Sequence, residues 1–316
     1  MAREVLISLD RMAADGHIEP PEVLLPSKGA VIAPPQLDGV RVRRVGRLKG
    51  HLWEQLELPF YCSNSTLLCL GNTAPLMRLR KNGERTVTMV HDLSYLYFPQ
   101  AYSRSFRALY GFVIPRVLAQ SSKVVTVSNA ELKAIQERFP EFEASDRFSY
   151  LQNGGFSDNI NRKTETETTP NKATRTYGLY VGSLTRRKNA EGVISGALAF
   201  LERYPEMEFR IIGAQASSFR QLEIHVPEKL KDRIEFCGQI NDVSVIREAY
   251  RGARFLLFPS FYEASPLPPV EAMTMGCPVI SSDIASLKER CGDAAYYCDP
   301  ARPESISSAI NAIMED

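Results

Sequence analysis

Residues 258–280 read FPSFYEASPLPPVEAMTMGCPVI, and this stretch carries the clearest fold signal of the chain. The apolar run that leads into it predicts a buried strand ending at Phe258. A proline-rich loop follows, then a short helix from about Val270, with Gly276 just after the helix end and a further strand at Val279. This order of strand, loop, helix and strand is typical of an α/β fold with a parallel sheet.

Short apolar runs alternate with helical patterns along the whole chain, which predicts two doubly wound α/β halves facing a cleft. The halves are predicted over residues 1–160 and 177–316, joined by a polar linker or loop at 161–176 that lacks large apolar side chains. The predicted helices include Ala130–Arg138, Ala190–Tyr204 and Val243–Arg251. The predicted strands are Val5–Ser8, Val23–Leu25, Leu67–Leu70, Val87–Val90, Val124–Val127, Tyr177–Val181, Phe209–Ile212, Ile234–Phe236, Phe255–Phe258 and Val279–Ile280.

The composition predicts a soluble, cytoplasmic protein. Of the 316 residues, 44% are hydrophobic and 24% are charged, and the net charge of +1 argues against a nucleic-acid-binding protein. The charged N-terminus does not resemble a signal peptide. Six cysteines without a C-x-x-C pair predict buried thiols in a reducing compartment rather than a zinc site.

Basic residues are concentrated in the first part of the chain, where residues 1–123 contain 16 Lys and Arg against 10 Asp and Glu. Two interpretations stay open: a solvated basic face, or attraction to a phosphorylated acceptor or to the inner face of the plasma membrane. The segment Tyr102–Lys123 mixes aromatic and basic residues, and two interpretations are equally open: a basic amphipathic surface that faces a membrane or a lipid-linked acceptor, or core packing with a solvated basic side. Gly111 and Pro115 are expected to interrupt its helix. Two groups of cations are Arg41, Arg43, Arg44, Arg47 and Lys49, and Arg78, Arg80, Lys81 and Arg85.

Two carboxylates flank the loop that follows Phe258. Glu263 lies within the loop, and Glu271 lies near the start of the short helix. Glu271 has a purely structural explanation, because a carboxylate near a helix N-terminus complements the macrodipole. Two carboxylates on either side of a strand-end loop are better explained as ligands for a polyhydroxyl compound.

Taken together, the motifs resemble family-4 retaining glycosyltransferases of GT-B fold. The spacing E-x7-E, whose second Glu begins EAM, together with a following glycine and PVI, is similar to the signature of that family. The resemblance implies two Rossmann-like domains facing a cleft and transfer of a sugar from a nucleotide-sugar donor. The further matching segments are YVGSLTRRKN (Tyr180–Asn189), FCGQI (Phe236–Ile240), VHDLSYLYFP (Val90–Pro99), VSNAELKAI (Val127–Ile135) and QNGG (Gln152–Gly155).

The resemblance implies a donor site in the second half. Arg187 and Lys188 would bind the donor diphosphate and stabilise the leaving group. Glu263 would contact hydroxyls of the transferred sugar, and Glu271 would accept from the ribose hydroxyls. The plain alternative for Lys188 is an exposed residue at a helix start.

The remaining site residues are also implied by the resemblance. His91 would lie near the donor sugar and join Lys188 and Glu263 in catalysis, although a lone loop histidine is often structural. Gly238 and Gln239 would approach the nucleotide base through backbone groups. Ser265 and Leu267 would complete the donor loop.

No metal ion and no cofactor are expected besides the nucleotide-sugar co-substrate. The sequence contains no Asp-x-Asp motif, so the usual carboxylates that hold a diphosphate-bound divalent ion are missing. Two positions depart from the family: Ser183 replaces a common arginine, and Pro266 removes a backbone N–H from the donor loop. Family members generally continue for several dozen residues beyond the position of Asp316, with a last helix that crosses back to the first domain.

The matched segments look most like members that build bacterial surface polysaccharides. The first donor hypothesis is therefore GDP-mannose, with UDP- and dTDP-sugars as alternatives, and the expected acceptor is a glycan or a lipid-linked oligosaccharide. Two other functions stay open: a non-catalytic glycan- or nucleotide-binding subunit that has kept the fold, and a sugar-nucleotide epimerase.

Overall fold

The computed structural model describes residues 2–29, 36–62, 64–142, 145–155, 175–214 and 226–316. The chain divides into two compact units, Met1–Asn153 and Gly154–Asp316. Each unit has a parallel sheet and an apolar core of its own, so the predicted α/β class is confirmed. The predicted linker lies outside the described residues except for Arg175 and Thr176, and the predicted domain boundaries stay predictions.

The first unit contains a four-stranded parallel sheet in the order β3-β4-β5-β6 and a separate parallel pair, β1 and β2. Four of the predicted strands are found here. The strands are β1 (Glu22–Pro26), β2 (Arg41–Val45), β3 (Leu67–Cys69), β4 (Thr86–Met89), β5 (Lys123–Thr126) and β6 (Phe148–Tyr150). The helices are α1 (Ala2–Ala14), α2 (Gly50–Leu56), α3 (Leu58–Tyr61), α4 (Leu76–Asn82), α5 (Ser94–Tyr97), α6 (Arg104–Gln120) and α7 (Asn129–Arg138).

Helix α1 corrects the strand predicted at Val5–Ser8. The apolar run lies within a 13-residue helix that has no buried residue. Val5, Leu9 and Met12 follow the i, i+4, i+7 spacing of an amphipathic helix, which overrides a short apolar run.

Helix α6 corrects the expected interruption at Gly111 and Pro115. It runs without a break over 17 residues and begins at Ser103, whose Oγ accepts the Phe106 N–H at 3.2 Å. Pro115 has no N–H and so removes one backbone hydrogen bond from the helix. The buried face packs into the core of the unit through Tyr110, Val113, Ile114, Val117 and Leu118.

The second unit contains a six-stranded, entirely parallel sheet in the order β12-β11-β10-β7-β8-β9. Strands β7, β8 and β9 are neighbours in the order in which they follow along the chain, and β10 then pairs with the other side of β7. The strands are β7 (Tyr177–Val181), β8 (Glu208–Ile212), β9 (Ile234–Gly238), β10 (Ala253–Phe258), β11 (Val279–Ser282) and β12 (Tyr296–Cys298). The helices are α8 (Ala190–Arg203), α9 (Val243–Gly252), α10 (Pro268–Thr274), α11 (Ala285–Cys291) and α12 (Pro303–Glu315).

Burial explains why this sheet was predictable. In β10 every residue except Arg254 is buried, as expected for a central parallel strand covered on both faces. Gly276 has φ 68° and follows the end of α10, which confirms its predicted place. The six cysteines are free, and all except Cys237 are buried. No helix in the described ranges is long and apolar enough to cross a membrane.

Candidate functional site

The predicted donor residues of the second unit lie at the carboxyl ends of β7 and β10. These strands are neighbours, and the order of the sheet reverses between them. The loops that follow them, residues 182–189 and 259–267, are joined by a hydrogen bond from the Phe261 N–H to the Arg187 carbonyl at 3.0 Å. In parallel sheets, ligands bind outside the strand ends at such a reversal point.

Arg187, Lys188 and Glu263 form one charged cluster across these two loops. Arg187 Nη1 donates to Glu263 Oε2 at 3.2 Å and to the Tyr262 carbonyl at 2.8 Å. Lys188 Nζ lies 3.4 Å from Glu263 Oε1, which also accepts the Ser260 hydroxyl at 3.1 Å. The structure therefore brings three predicted residues together, with one net positive charge and a carboxylate that is 9% exposed.

Asn189 fixes the backbone next to the two cations. Its Oδ1 caps α8 by accepting the Gly192 N–H at 3.0 Å, and its Nδ2 donates to the carbonyls of Pro259 (3.0 Å) and Pro300 (2.7 Å). The residue is buried and has φ 56°, a left-handed conformation that asparagine tolerates. Sequence reasoning missed this role, although an asparagine immediately before a helical pattern is an N-cap signal.

Tyr180 lies beneath the β7 loop. Its hydroxyl donates to the Ser183 carbonyl at 3.1 Å. Burial raises the pKa of Tyr180, the Glu263 carboxylate raises it further, and the Arg187 guanidinium opposes both effects. The phenol therefore stays protonated and acts as a fixed hydrogen-bond donor to the loop.

Glu271 makes a separate contact within the same unit. The hydroxyl of Tyr250, which is fully buried in α9, donates to Glu271 Oε2 at 3.1 Å. Burial raises the pKa of Glu271, and the hydrogen bond from Tyr250 opposes this effect. The tyrosine therefore favours the ionised carboxylate, the form that accepts hydrogen bonds from a diol.

Three neighbouring strands have a glycine at their carboxyl ends: one glycine follows β7, one follows β8, and one is the last residue of β9. Gly182, Gly213 and Gly238 all have positive φ angles, of 152°, 149° and 69°. A Cβ on Gly213 would lie 1.9 Å from the Gly182 carbonyl oxygen, so any side chain there would push the two loops apart. Space around Gly238 is open, and the neighbouring Gln239 side chain donates to Asn241 Oδ1 at 3.0 Å.

The loop between the two carboxylates contains the other predicted donor residues. The Ser265 hydroxyl is buried and has no hydrogen-bond partner within the described residues. The Leu267 carbonyl accepts the Glu271 N–H at 2.9 Å and so begins α10. Ser265 therefore holds an unused hydroxyl next to Pro266, which has no N–H.

His91 lies in the first unit, directly after β4. Its Nε2 lies 2.7 Å from the Leu70 carbonyl, which can only accept, so the proton is on Nε2. Its backbone N–H donates to Asn72 Oδ1 at 2.6 Å, and Asn72 has φ 61°. The buried Glu131, which sequence reasoning missed, accepts the Leu93 N–H at 2.8 Å and supports the same loop.

Comparison with known proteins shows what the second unit is similar to. Residues 175–316 match the family described as Glycosyl transferases group 1. The chain is 30% identical to O-antigen chain mannosyltransferase B from Escherichia coli over 74% of its own length and 62% of the relative's. It is 26% identical to O-antigen chain mannosyltransferase RfbU from Salmonella typhimurium, over 83% and 69% of the two lengths.

The solved structures show the same fold over both units. Sucrose-phosphate synthase from Thermosynechococcus elongatus superimposes with a TM-score of 0.69 and 20% identity, over 99% of this chain and 84% of that protein. The predicted GT-B fold is confirmed by such neighbours. The chain spans less than two thirds of the length of the Escherichia coli relative. Residues 175–316 are thus similar to the group 1 glycosyltransferases, and the chain as a whole is similar in fold to GT-B proteins.

Proposed function

We propose that the chain is a retaining, metal-independent glycosyltransferase that moves a hexose onto a glycan or a lipid-linked oligosaccharide. The cluster of Arg187, Lys188 and Glu263 at the reversal point of the sheet is the observation that carries this proposal. Mannose from GDP-mannose is the first donor to test, because two similar proteins are named O-antigen chain mannosyltransferases.

The two cations account for donor binding and departure of the leaving group. Arg187 and Lys188 are held at the strand ends by a backbone bond and by the Asn189 cap, so little reorganisation is needed when a diphosphate arrives. Their positive charge would stabilise the nucleoside diphosphate as the bond from its phosphate oxygen to the sugar breaks. This is the work that a divalent ion performs in other sites.

Glu263 and Glu271 would recognise hydroxyl groups at opposite ends of the donor. Glu263 is held by Ser260 and by both cations, and its oxygens would become available to the transferred sugar once a diphosphate engages the cations. Glu271 would accept from the ribose, with Tyr250 favouring its ionised form. Gly238 and Gln239 would meet the base.

Retention would follow from departure and attack on the same face of the sugar. The bond between the anomeric carbon and the phosphate oxygen breaks, and the phosphate takes the electron pair. The acceptor hydroxyl then bonds to that carbon, and its proton passes to the departing phosphate. His91 would lie near the donor sugar, and Ser265 and Leu267 would line the donor loop. The expected location is the cytoplasm, with peripheral contact to the inner face of the plasma membrane and no nucleic-acid partner.

A donor panel tests the proposal. Thermal unfolding midpoints are measured with GDP-mannose, GDP-glucose, UDP-glucose and dTDP-glucose, with and without EDTA. A donor that raises the midpoint equally in both conditions supports a metal-free donor site. Transfer to a mannose-containing lipid-linked acceptor is then followed, and the product's anomeric configuration is determined by NMR. An inverted product, or transfer abolished by EDTA, contradicts the proposal.

Two lysine variants test whether the cluster of Arg187, Lys188 and Glu263 is responsible for the donor-induced shift of the unfolding midpoint. Lys188→Ala is expected to abolish the donor-induced shift, while Lys231→Ala, which removes an exposed lysine of the same unit, leaves it unchanged. Donor binding without transfer would favour a non-catalytic subunit. Conversion of the donor without an acceptor would favour an epimerase.

A further inference from the structure

A buried carboxylate on α7 contacts the loop that carries His91. Glu131 is 3% exposed and is the third residue of α7, the helix that follows β5, and β5 pairs with β4. Its Oε1 accepts the Leu93 N–H at 2.8 Å, although the two residues are 38 positions apart in the sequence. A carboxylate that accepts a backbone N–H forms a charge-assisted bond, which is stronger than a bond between neutral groups. Glu131 therefore holds the backbone two residues after His91.

The start of α7 does not by itself account for the direction of this side chain. Ser128 and Glu131 have the S-x-x-E spacing of a capping box, and Ser128 Oγ accepts the Glu131 N–H at 3.1 Å. In a capping box the glutamate side chain turns back to the N–H of the cap residue. Here Oε1 reaches out of its own helix to Leu93. The glutamate thus joins α7 to the loop that follows the neighbouring strand.

Residues that follow β3 hold the same loop from the other side. The His91 N–H donates to Asn72 Oδ1 at 2.6 Å, and His91 Nε2 donates to the Leu70 carbonyl at 2.7 Å. Because Nε2 carries the proton, Nδ1 is the atom of the ring that can accept a hydrogen bond. The direction of Nδ1 depends on how the backbone from His91 to Leu93 is held.

We propose that Glu131 is a positioning residue, which sets the direction of the His91 imidazole and through it the rate of sugar transfer. The effect on transfer rests on the proposed function, whereas the effect on His91 does not. Strands β3, β4 and β5 are neighbours, and the loop after the middle strand is bonded to the chain that follows each of the other two. Loss of the bond to Leu93 would give the backbone after His91 new freedom, and a small misplacement of a catalytic side chain lowers a rate strongly.

A general role in stability is the alternative to a positioning role. In that case the loss of Glu131 would weaken the first unit as a whole, and its effect on transfer would add to the effect of losing His91. If Glu131 acts through His91, the two effects are not additive, because a loop without the imidazole has no catalytic group left to misplace. The two roles therefore differ in a measurable coupling.

Two substitutions of similar length separate the hydrogen bond from the shape of the side chain. Glu131→Gln keeps an oxygen that can accept from Leu93, whereas Glu131→Met fills the space without a comparable acceptor. Nitrogen-15 NMR of the imidazole rings measures the tautomer and the mobility of His91; the chain has four histidines, and His91→Ala identifies the signals. The glutamine variant should keep the parent's signals, and the methionine variant should shift or broaden them. Glu137→Met, at an exposed glutamate of the same helix, is the control and should leave them unchanged.

Transfer kinetics of the full chain give the second measurement. Glu131→Met should lower kcat by about tenfold or more with a smaller change in the donor KM, and Glu131→Gln should stay within about twofold of the parent. Combined with His91→Ala, Glu131→Met should change kcat by less than about twofold. If the methionine variant does not fold, Glu131→Asp, which withdraws the acceptor from Leu93, takes its place with the same expectations.

Two results would overturn the proposal. One is a methionine or aspartate variant that keeps the parent's His91 signals, and the other is a loss of kcat that is equal with and without His91. A parent protein that transfers no sugar from any donor would instead refute the proposed function, and the NMR comparison would then decide by itself whether Glu131 positions His91.

Discussion

Replacing Glu263 by glutamine removes the negative charge from the cluster while keeping the shape of the side chain. The amide oxygen can still accept the Ser260 hydroxyl, which lies 3.1 Å from Oε1 in the parent protein. Arg187 and Lys188 lose the carboxylate that lies 3.2 Å and 3.4 Å from them. The two neighbouring cations then lack the carboxylate that lies between them, so we expect the second unit to become less stable.

The size of the loss follows from the burial of the three groups. Removing one partner of a fully buried ion pair costs about 3–5 kcal/mol, and an exposed pair contributes about 1 kcal/mol or less. Glu263 is 9% exposed, whereas Lys188 and Arg187 are 15% and 28% exposed and keep part of their hydration. We therefore expect Glu263→Gln to lower the free energy of unfolding by about 2 kcal/mol. In a unit of this size that is a drop of roughly 4–8 °C in the midpoint.

Calorimetric unfolding without ligand measures this drop. Glu248→Gln is the control, because Glu248 pairs with Arg251 at 2.6 Å on the surface of the same unit and is 69% exposed. A double-mutant cycle with Lys188→Met isolates the coupling. If Glu263→Gln changes the midpoint no more than the control, or if the cycle shows no coupling, the reasoning about the cluster is refuted.

Ligand binding distinguishes the proposed roles within the cluster. The substitution raises the cluster from one to two net positive charges, so GDP without a sugar should bind at least as tightly as to the parent. GDP-mannose should lose its advantage over GDP, because a neutral amide replaces the charged acceptor of the sugar hydroxyls. An equal weakening of both ligands would show that Glu263 acts on the diphosphate or on the fold rather than on the sugar.

Three further predictions concern the supports of the site. Tyr250→Phe removes a hydrogen bond that favours the ionised form of Glu271, so it should raise the pKa of Glu271 further. Donor binding should then weaken at a higher pH than in the parent protein. Titration calorimetry across a pH series measures this change. Asn189→Ala should lower the free energy of unfolding more than Asn189→Gly does, because both variants lose the cap and alanine also strains the left-handed backbone. Chemical denaturation compares the two variants, and the reverse order would contradict this account. Gly213→Ala should lower donor affinity along with stability, since its Cβ would displace the Gly182 carbonyl, and an unchanged donor-induced shift would count against it.

The central strands of the second unit could be predicted because their surroundings leave little choice. A parallel strand covered on both faces needs a nearly continuous apolar sequence, as in Ala253–Phe258, and such a run is visible without a structure. Of the three-residue edge strands, Leu67–Cys69 was predicted from its apolar run, whereas Phe148–Tyr150 and Tyr296–Cys298 are largely outside the core and were not predicted.

The first unit shows where pattern reasoning fails. The run at Val5–Ser8 is short enough for a strand, and its apolar spacing becomes helical only when residues up to Met12 are included. In α6, local propensity counts Gly111 and Pro115 as breaks, but the buried face of the helix contributes more than the one hydrogen bond lost at the proline. Both errors arise because the prediction considered a few residues, whereas the apolar face of the whole helix determines the structure.

The residues of the candidate site likewise divide into those that were predicted and those that were missed. Arg187, Lys188 and Glu263 were assigned to one donor site because of the family resemblance. The structure brings them together because the strands that they follow, β7 and β10, are neighbours in the sheet. Two of their supports were missed: Asn189, although its place before a helical pattern is an N-cap signal, and Ser260, because a single buried serine has no spacing that marks it.

The same charge balance connects the stability of the site with its proposed chemistry. Two cations side by side repel one another, and the unliganded site relieves this repulsion through the Glu263 carboxylate. A donor diphosphate brings negative charge of its own and would take over Arg187 and Lys188. The carboxylate oxygens, still held by Ser260, would then be released to accept from the sugar hydroxyls. Under the proposed function, a ligand with a diphosphate but no sugar gives the Glu263 oxygens no hydroxyl donors. Such a ligand should therefore bind more weakly than a nucleotide sugar. That is the physical reason to expect the parent protein to prefer a nucleotide sugar over the free nucleotide, and the glutamine variant to lose the preference.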